Sequence, residues 1–298
     1  MPYADAGGVK LYFEETGTGR PIVFSHEFGA DGRTWEQQVR FLGRHHRCIT
    51  VNARGYPPSD VPTDPERYGY EASASDIGAV LDHLGIERAH VVGLSMGAYA
   101  SLVFALDHPG RAESLVLSGI GSGSMPAGRA EFETLTSTVA EAYRTQGSAA
   151  AAALLGRGAT RLQLLDKDPR GYEESMRQLS EHSALGCALT MERFQRLRPG
   201  IQTFDARIRQ LAVPTLVLCG DEDEPCIEPS LYLKRALPNC GLQMVPRSGH
   251  ALNLEEPALF NRSLLDFFGS VERGQAHPRD AQGRRRPAGP PQASHRVG

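Results

Sequence analysis

Apolar and polar positions alternate along "VKLYFEET" (residues 9–16), the period-two pattern of a half-buried strand. A Gly-Thr-Gly turn at 17–19 and the apolar "PIVFSH" (21–26) follow, so the two segments predict an antiparallel hairpin opening a sheet. The period then lengthens. Trp35, Val39 and Leu42 fall at helical spacing in "TWEQQVRFLGR", and "RCITVN" (47–52) reads as a short buried strand. "EASASDIGAVLDHLG" (71–85) places Ile77, Val80, Leu81 and Leu84 on one helical face, with Gly85 as a natural stop.

From there strand and helix patterns take turns: "AHVVGLS", "MGAYASLVFALDH", "AESLVLSGI", and after a break "VPTLVLCGDED", "EPSLYLKRAL", "GLQMVPRSGH" and "PALFNRSLLDFFGSVER". Such alternation implies βαβ units, hence an α/β fold with a mostly parallel central sheet covered on both faces by helices. The break, residues 121–207, is helical in character. Phe132, Leu135, Val139 and Tyr143 line one face, followed by an alanine-rich stretch (149–153) and "YEESMRQLSEHSALGCALTMERFQRL". Ligands of open α/β sheets bind outside the carboxyl ends of the strands, so this insertion is expected to form a helical cap or lid. The expected organisation is a core of 1–120 and 208–272, a cap of 121–207 and a basic tail of 273–298. No repeat of solenoid period is visible.

Charge sharpens the division. The 298 residues carry a net −3, but the segment from Arg273 to Gly298 holds six arginines and one acid, leaving −8 on the remainder. A mildly acidic body offers no electrostatic footprint for nucleic acid. The tail, rich in Pro, Gly, Arg and Gln, has little to bury and is expected to be disordered. The five cysteines show no CxxC pair, which argues against a disulfide framework or a structural zinc site. No basic-then-apolar leader and no run approaching the ~18 apolar residues of a membrane span is present, so a cytoplasmic protein without membrane contact is expected. Arginine far outnumbers lysine, which occurs only at 10, 167 and 234, and Ala and Gly are abundant. That composition suggests a GC-rich bacterial genome.

Within this frame "VVGLSMGAYA" (91–100) sets Ser95 between Gly93 and Gly97 at a strand-to-helix junction. A serine hydroxyl is a poor nucleophile until a base takes its proton. It must also stand clear of the sheet, and a sharp, strained turn achieves this only if the residues two before and two after lack side chains. No other serine here has glycine at both offsets. The helix that follows adds positive potential where an oxyanion would develop. The base and acid should follow in the order serine, acid, histidine. His250 in "PRSGHALNLEEP" lies between the last strand and the last helix, whereas His45, His46, His83, His90, His108, His277 and His295 fall at helix ends, in a polar turn, at a strand start or in the tail. The loop "DEDEP" supplies the acid: Asp223 is the candidate, with Asp221 and Glu222 as rivals. Backbone N–H groups of Met96 and, from "HEFGADGRTW", Phe28 are the candidate oxyanion donors.

Taken together, "FSHEFG…W", "NARGYPPSD", "GLSMG", "GDED" and "SGH" resemble the serine-nucleophile branch of the α/β-hydrolase family, from about Val9 to Arg273. Within it, "GADGRTWEQQV", "NARG" and "GLSMG" are most similar to enol-lactone hydrolases and small bacterial esterases. The resemblance implies a Ser95–His250–Asp223 triad, a Phe28/Met96 oxyanion hole, a small-molecule ester or lactone substrate, and no cofactor or metal. Many members have His-Gly where this chain has His26-Glu27. Glu27 is expected to face solvent; the alternative is that it shapes the pocket or repels anionic substrates. By position, Trp35, Phe132, Met191 and Phe194 are candidate pocket residues, with core packing as their other reading.

Three functions stay open at this level. An ester or lactone hydrolase working through an acyl-enzyme leads; a carbon–carbon bond hydrolase of a diketone or dienoate would use the same triad; a ligand sensor with the hydrolase fold and little turnover is the non-enzymatic reading. A dinucleotide-dependent oxidoreductase lacks its GxGxxG after the early strands, and a metal hydrolase lacks HExxH.

Overall fold

The computed structural model describes residues 2–278, so of the tail only Arg273–Pro278 is described and the expected disorder of 279–298 lies outside the described residues. Eight strands form one sheet: β1 (Tyr3–Asp5), β2 (Lys10–Thr16), β3 (Arg20–Ser25), β4 (His46–Val51), β5 (Ala89–Leu94), β6 (Ala112–Ser118), β7 (Thr215–Gly220) and β8 (Cys240–Val245). Their spatial order is β1-β2-β4-β3-β5-β6-β7-β8. β1 and β2 pair antiparallel, β2 joins β4 antiparallel, and every pairing from β4 through β8 is parallel.

One expectation is corrected here. β2 and β3 do not form a hairpin: β4 lies between them, antiparallel to β2 and parallel to β3. The reason lies in their burial. Ile22, Val23 and Phe24 of β3 are buried on both faces, which only an interior strand achieves. β2 ends in the exposed run Glu14–Thr16 and suits a position near the sheet edge. The one tight antiparallel pair at the start of the chain is β1–β2.

Helices α1 (Glu36–Leu42) and α11 (Pro257–Glu272) cover one face of the sheet. α2 (Tyr70–His83), α3 (Met96–Asp107) and α9 (Glu224–Ala236) cover the other, and the short α10 (Leu252–Glu255) precedes α11. Between β6 and β7 the chain is helical: α4 (Pro126–Gly156), α5 (Ala159–Lys167), α6 (Pro169–Glu181), α7 (Ala184–Leu189) and the single turn α8 (Asp205–Ile208). α4 breaks at Gly147, whose φ of 80° suits glycine. α7 runs on into a π-helical turn at Thr190–Gln195. All five cysteines are buried, and none is joined to another by a disulfide. Among the described residues no helix is long and apolar enough to cross a membrane.

Trp35 is also reassigned. It is fully buried on the α1/α11 face, with its ring 5.1 Å from that of Phe24 and 6.1 Å from that of Phe260, and it belongs to the core rather than to a pocket. Its helical spacing with Val39 and Leu42 is the spacing by which α1 and the preceding turn face the sheet. Trp35→Ala is therefore expected to cost about 3–5 kcal/mol of folding free energy. Urea unfolding followed by circular dichroism checks this, the predicted sign being a lower midpoint with an unchanged slope.

Candidate active site

β5 must become α3 within a single residue, and Ser95 carries the whole change. Its φ of 53° and ψ of −110° make it one of two non-glycine residues with positive φ among those described. Such backbone strain costs about 1–3 kcal/mol and persists only where the surroundings enforce it. They do so here. The Ser95 N–H donates to the Ser118 carbonyl at 2.8 Å, tying the turn to β6. A Cβ on Gly93 would run into the Gly97 carbonyl, and one on Gly97 into the Ser25 carbonyl. The two glycines are thus imposed by close backbone approach on either side of the serine.

His250 and Asp223 meet at the neighbouring strand ends. Asp223 follows β7, stands at the start of α9 and is fully buried. Its Oδ2 accepts the Nδ1–H of His250 at 2.7 Å, leaving Nε2 of the imidazole as the free acceptor. Burial pushes the His250 pKa down, but the Asp223 charge and hydrogen bond outweigh it, so it ends above the ordinary 6.5. The rivals point elsewhere. Asp221 accepts from the Ser248 N–H at 3.3 Å, and the exposed Glu222 accepts from Gln163 at 2.8 Å. Two supports were not anticipated from the chain. Buried Glu255 accepts the N–H groups of Gly249 at 2.6 Å and Ala251 at 3.0 Å, bracing the backbone on both sides of His250. Gly119, at φ 53°, sits where a Cβ would press on His250 Nδ1 at 3.1 Å and Asp223 Oδ2 at 3.4 Å. The glycine-rich run "SGIGSG" after β6 is the one local signal of this close approach.

The loop after β3 is held by His26. Its Nδ1 lies 2.7 Å from the Glu27 carbonyl, and its Nε2 accepts the Ala53 N–H at 3.0 Å, which fixes the proton on Nδ1. Burial lowers its pKa, consistent with a neutral ring. Phe28 follows, and no hydrogen bond among the described residues takes up its N–H. Met96 opens α3, so its N–H likewise has no helical carbonyl to bond.

A cavity of about 670 Å³ joins these parts, with Ser95, His250 and Phe28 among its lining residues. Phe132 and Met191 line it from the inserted helices, where the sequence reading put them. Phe194 does not. It is buried against Tyr99, with ring centroids 6.0 Å apart, because its side of the π-helical turn faces α3. Glu27 is the larger correction. Instead of facing solvent it is 2 % exposed and grips Arg161 of α5 through two bonds, 2.7 and 3.0 Å. Both residues line the cavity. A lone carboxylate there would be costly to bury; a bidentate guanidinium partner makes it tolerable. The partner lies 134 positions away, so no local signal reveals it.

A family model described as alpha/beta hydrolase fold matches residues 20–257. A 2-hydroxy-6-oxononadienedioate/2-hydroxy-6-oxononatrienedioate hydrolase of Paraburkholderia phymatum is 29% identical over 280 residues, covering 88% of this chain and 93% of that protein. Among solved structures, the enol-lactonase from Burkholderia xenovorans LB400 superposes with a TM-score of 0.78 at 25% identity, covering 90% of this chain and 100% of that one. A malate-bound thermophilic esterase from Thermogutta terrifontis gives a TM-score of 0.79 at 26% identity, with 91% and 97% covered.

The buried pair makes its own prediction. Glu27→Gln strands the Arg161 guanidinium and should lower unfolding free energy by about 3–5 kcal/mol, whereas the double change Glu27→Gln with Arg161→Met should recover most of that loss. Chemical denaturation of the wild type and the two variants measures it, and equal losses in both would contradict the pairing.

Proposed function

The chain belongs to the alpha/beta hydrolase fold family, and from that premise we propose that it is a serine hydrolase of carboxylic esters or lactones, working without a cofactor through Ser95, His250 and Asp223. The observation that carries the reading is a strained, positive-φ Ser95 opening into the same cavity as His250, whose Nδ1–H is held by the buried Asp223 carboxylate at 2.7 Å.

In this reading His250 Nε2 takes the hydroxyl proton as Ser95 Oγ attacks the substrate carbonyl. The carbonyl oxygen becomes an oxyanion between the Phe28 and Met96 N–H groups, with the positive end of α3 behind Met96. His250 then protonates the leaving alkoxide, the C–O bond breaks, and the acyl group remains on Ser95. Water enters, loses a proton to His250 and releases the acid, restoring Ser95. Asp223 holds the imidazole tautomer and stabilises the imidazolium in both halves. The inserted helices act as a cap whose Phe132, Met191 and Arg161 shape the acyl and leaving-group space.

A lactone is a cyclic ester and passes through the same steps, its alcohol remaining tethered to the acyl group. The similarity to an enol-lactonase and an esterase supports this substrate class. Cleavage of a carbon–carbon bond would use the same base and oxyanion donors on a ketone and is distinguished by substrate.

The test is the time course of p-nitrophenol release from acetate through octanoate esters. Sustained turnover is expected, reduced at least about 10⁴-fold in Ser95→Ala. A single stoichiometric burst would indicate a ligand sensor, and silence from folded protein would overturn the ester reading in favour of ketone substrates. The pH profile gives a second check. Because His250 must be unprotonated to act as base and its pKa is raised, kcat/KM should fall as pH drops through a value above 6.5. Asp223→Asn should cost about 10⁴-fold in kcat by releasing the tautomer.

A further inference from the structure

Three arginines among the described residues are buried: Arg54, Arg161 and Arg198. Arg54 meets the carboxylate of Asp76 through two nitrogens, with Nε 2.8 Å from Oδ2, and Arg161 meets Glu27 in the same bidentate way. Arg198 is the most buried of the three, at 3 % exposure, and its surroundings differ. Its guanidinium lies over the rings of Tyr99 at 4.7 Å and Phe132 at 5.1 Å. Nη2 donates to the Ser122 carbonyl at 2.7 Å. Nη1 is buried and has no partner among the described residues, and the groups that act on the guanidinium are the Tyr99 phenol and the Cys226 thiol, both kept neutral by burial, and the Arg129 guanidinium; none is a carboxylate. Burial lowers its pKa to about 10, so at neutral pH it keeps its charge.

Taking a cation out of water is costly unless a counter-charge compensates. This chain supplies that counter-charge for two of its buried arginines and leaves the third facing the cavity that holds Ser95 and His250. The Glu27–Arg161 pair is neutral as a unit, so Arg198 is the uncompensated buried charge on the cavity wall. The carboxylates of Glu131, Glu224 and Glu228 also line that cavity, but all three are exposed. Water screens these exposed carboxylates, so their pull on a bound anion or on Arg198 is weak. The π-helical turn at Thr190–Gln195 bears on the same place, since Met191 and Gln195 line the cavity just before Arg198. Such turns recur where a helix presents side chains to a ligand.

We propose that Arg198 is a specificity-determining residue that binds a carboxylate carried on the substrate apart from the scissile carbonyl, so that the preferred ester or lactone is an anion. This rests on the hydrolase reading above. The planar guanidinium fork matches a carboxylate, and the Tyr99 and Phe132 rings keep it in plane and dry. The substrate's charge then supplies what Asp76 and Glu27 supply elsewhere.

The experiment compares kcat/KM for mono-p-nitrophenyl succinate, glutarate and adipate with that for their methyl esters, which have nearly the same shape and no charge. Wild-type protein should prefer the best free acid over its methyl ester by about 10- to 100-fold, the scale of a hydrogen-bonded charge pair. In Arg198→Met that ratio should collapse toward one. A wild-type ratio near one, or a ratio unchanged by the substitution, overturns the proposal and leaves Arg198 as a tie between the inserted helices and Ser122. Should Arg198→Met not fold by circular dichroism, Arg198→Lys keeps the charge without the fork, and its ratio should fall at least several-fold. If folded wild-type protein hydrolyses none of these esters, the ester reading has failed, and glutarate titrated calorimetrically into Ser95→Ala and Ser95→Ala/Arg198→Met decides the carboxylate site. Binding lost with Arg198 upholds it, and equal or absent binding in the two proteins overturns it.

Discussion

Everything at the site depends on one backbone conformation. Ser95 has to leave a buried parallel strand and start a buried helix at once, and the only φ that does this with an L residue lies in the disfavoured positive region. The strain is sustained by neighbours that leave it no alternative: β3 and β6 flank β5, Ser118 receives its N–H, and Gly93 and Gly97 bring carbonyls within distances that no Cβ permits. The sheet order follows from the same demand. A strand that carries such a turn needs partners on both edges, and the interior position of β5 between β3 and β6 supplies them.

Around that fixed point, α5 joins the three loops that shape the cavity mouth. Arg161 reaches Glu27 on the loop after β3, Gln163 reaches Glu222 beside the acid, and Lys167 bonds Ser248 at 2.9 Å and Glu256 at 2.6 Å on either side of His250. A short helix of the insertion therefore contacts the loop after β3, the loop after β7 and the segment around His250 together. The contacts differ in weight. The Glu27–Arg161 bond is buried and its loss is expensive, while the Lys167–Glu256 pair is partly solvated and contributes little by itself. Movement of α5 away from the sheet would have to break the buried bond, so the inserted helices are anchored at the loop that bears Phe28.

The same arithmetic of buried charge organises the cavity. His26 is kept neutral by burial and spends both ring nitrogens on loop geometry, and Glu27 and Arg161 cancel. His250 differs: the fixed Asp223 carboxylate raises its pKa above the ordinary 6.5, which suits the general base proposed for it. Arg198 stands apart because two aromatic faces and one carbonyl surround it where a carboxylate would balance it.

How much of this could be read along the chain follows from the range of each constraint. Alternating strand and helix patterns determined the layered parallel fold, and local sterics determined the Ser95 turn, since glycine at both flanking offsets is a short-range demand visible in "GLSMG". Chain order after the turn also pointed to His250 and Asp223, which the structure brings to 2.7 Å. Strand partnership was not local: β2 and β3 adjoin in sequence but are parted by β4, because burial on both faces draws β3 inward. Nor was side-chain direction. Trp35 and Phe194 share the helical spacing of true cavity residues, and only packing decides which face meets the sheet, α3 or the cavity. Glu27 reads as a surface acid until Arg161, far along the chain, is folded against it, and Arg198 reads as one arginine among many until burial without a carboxylate sets it apart. Charge pairing is a matter of distance in space, and spacing along the chain carries no record of it.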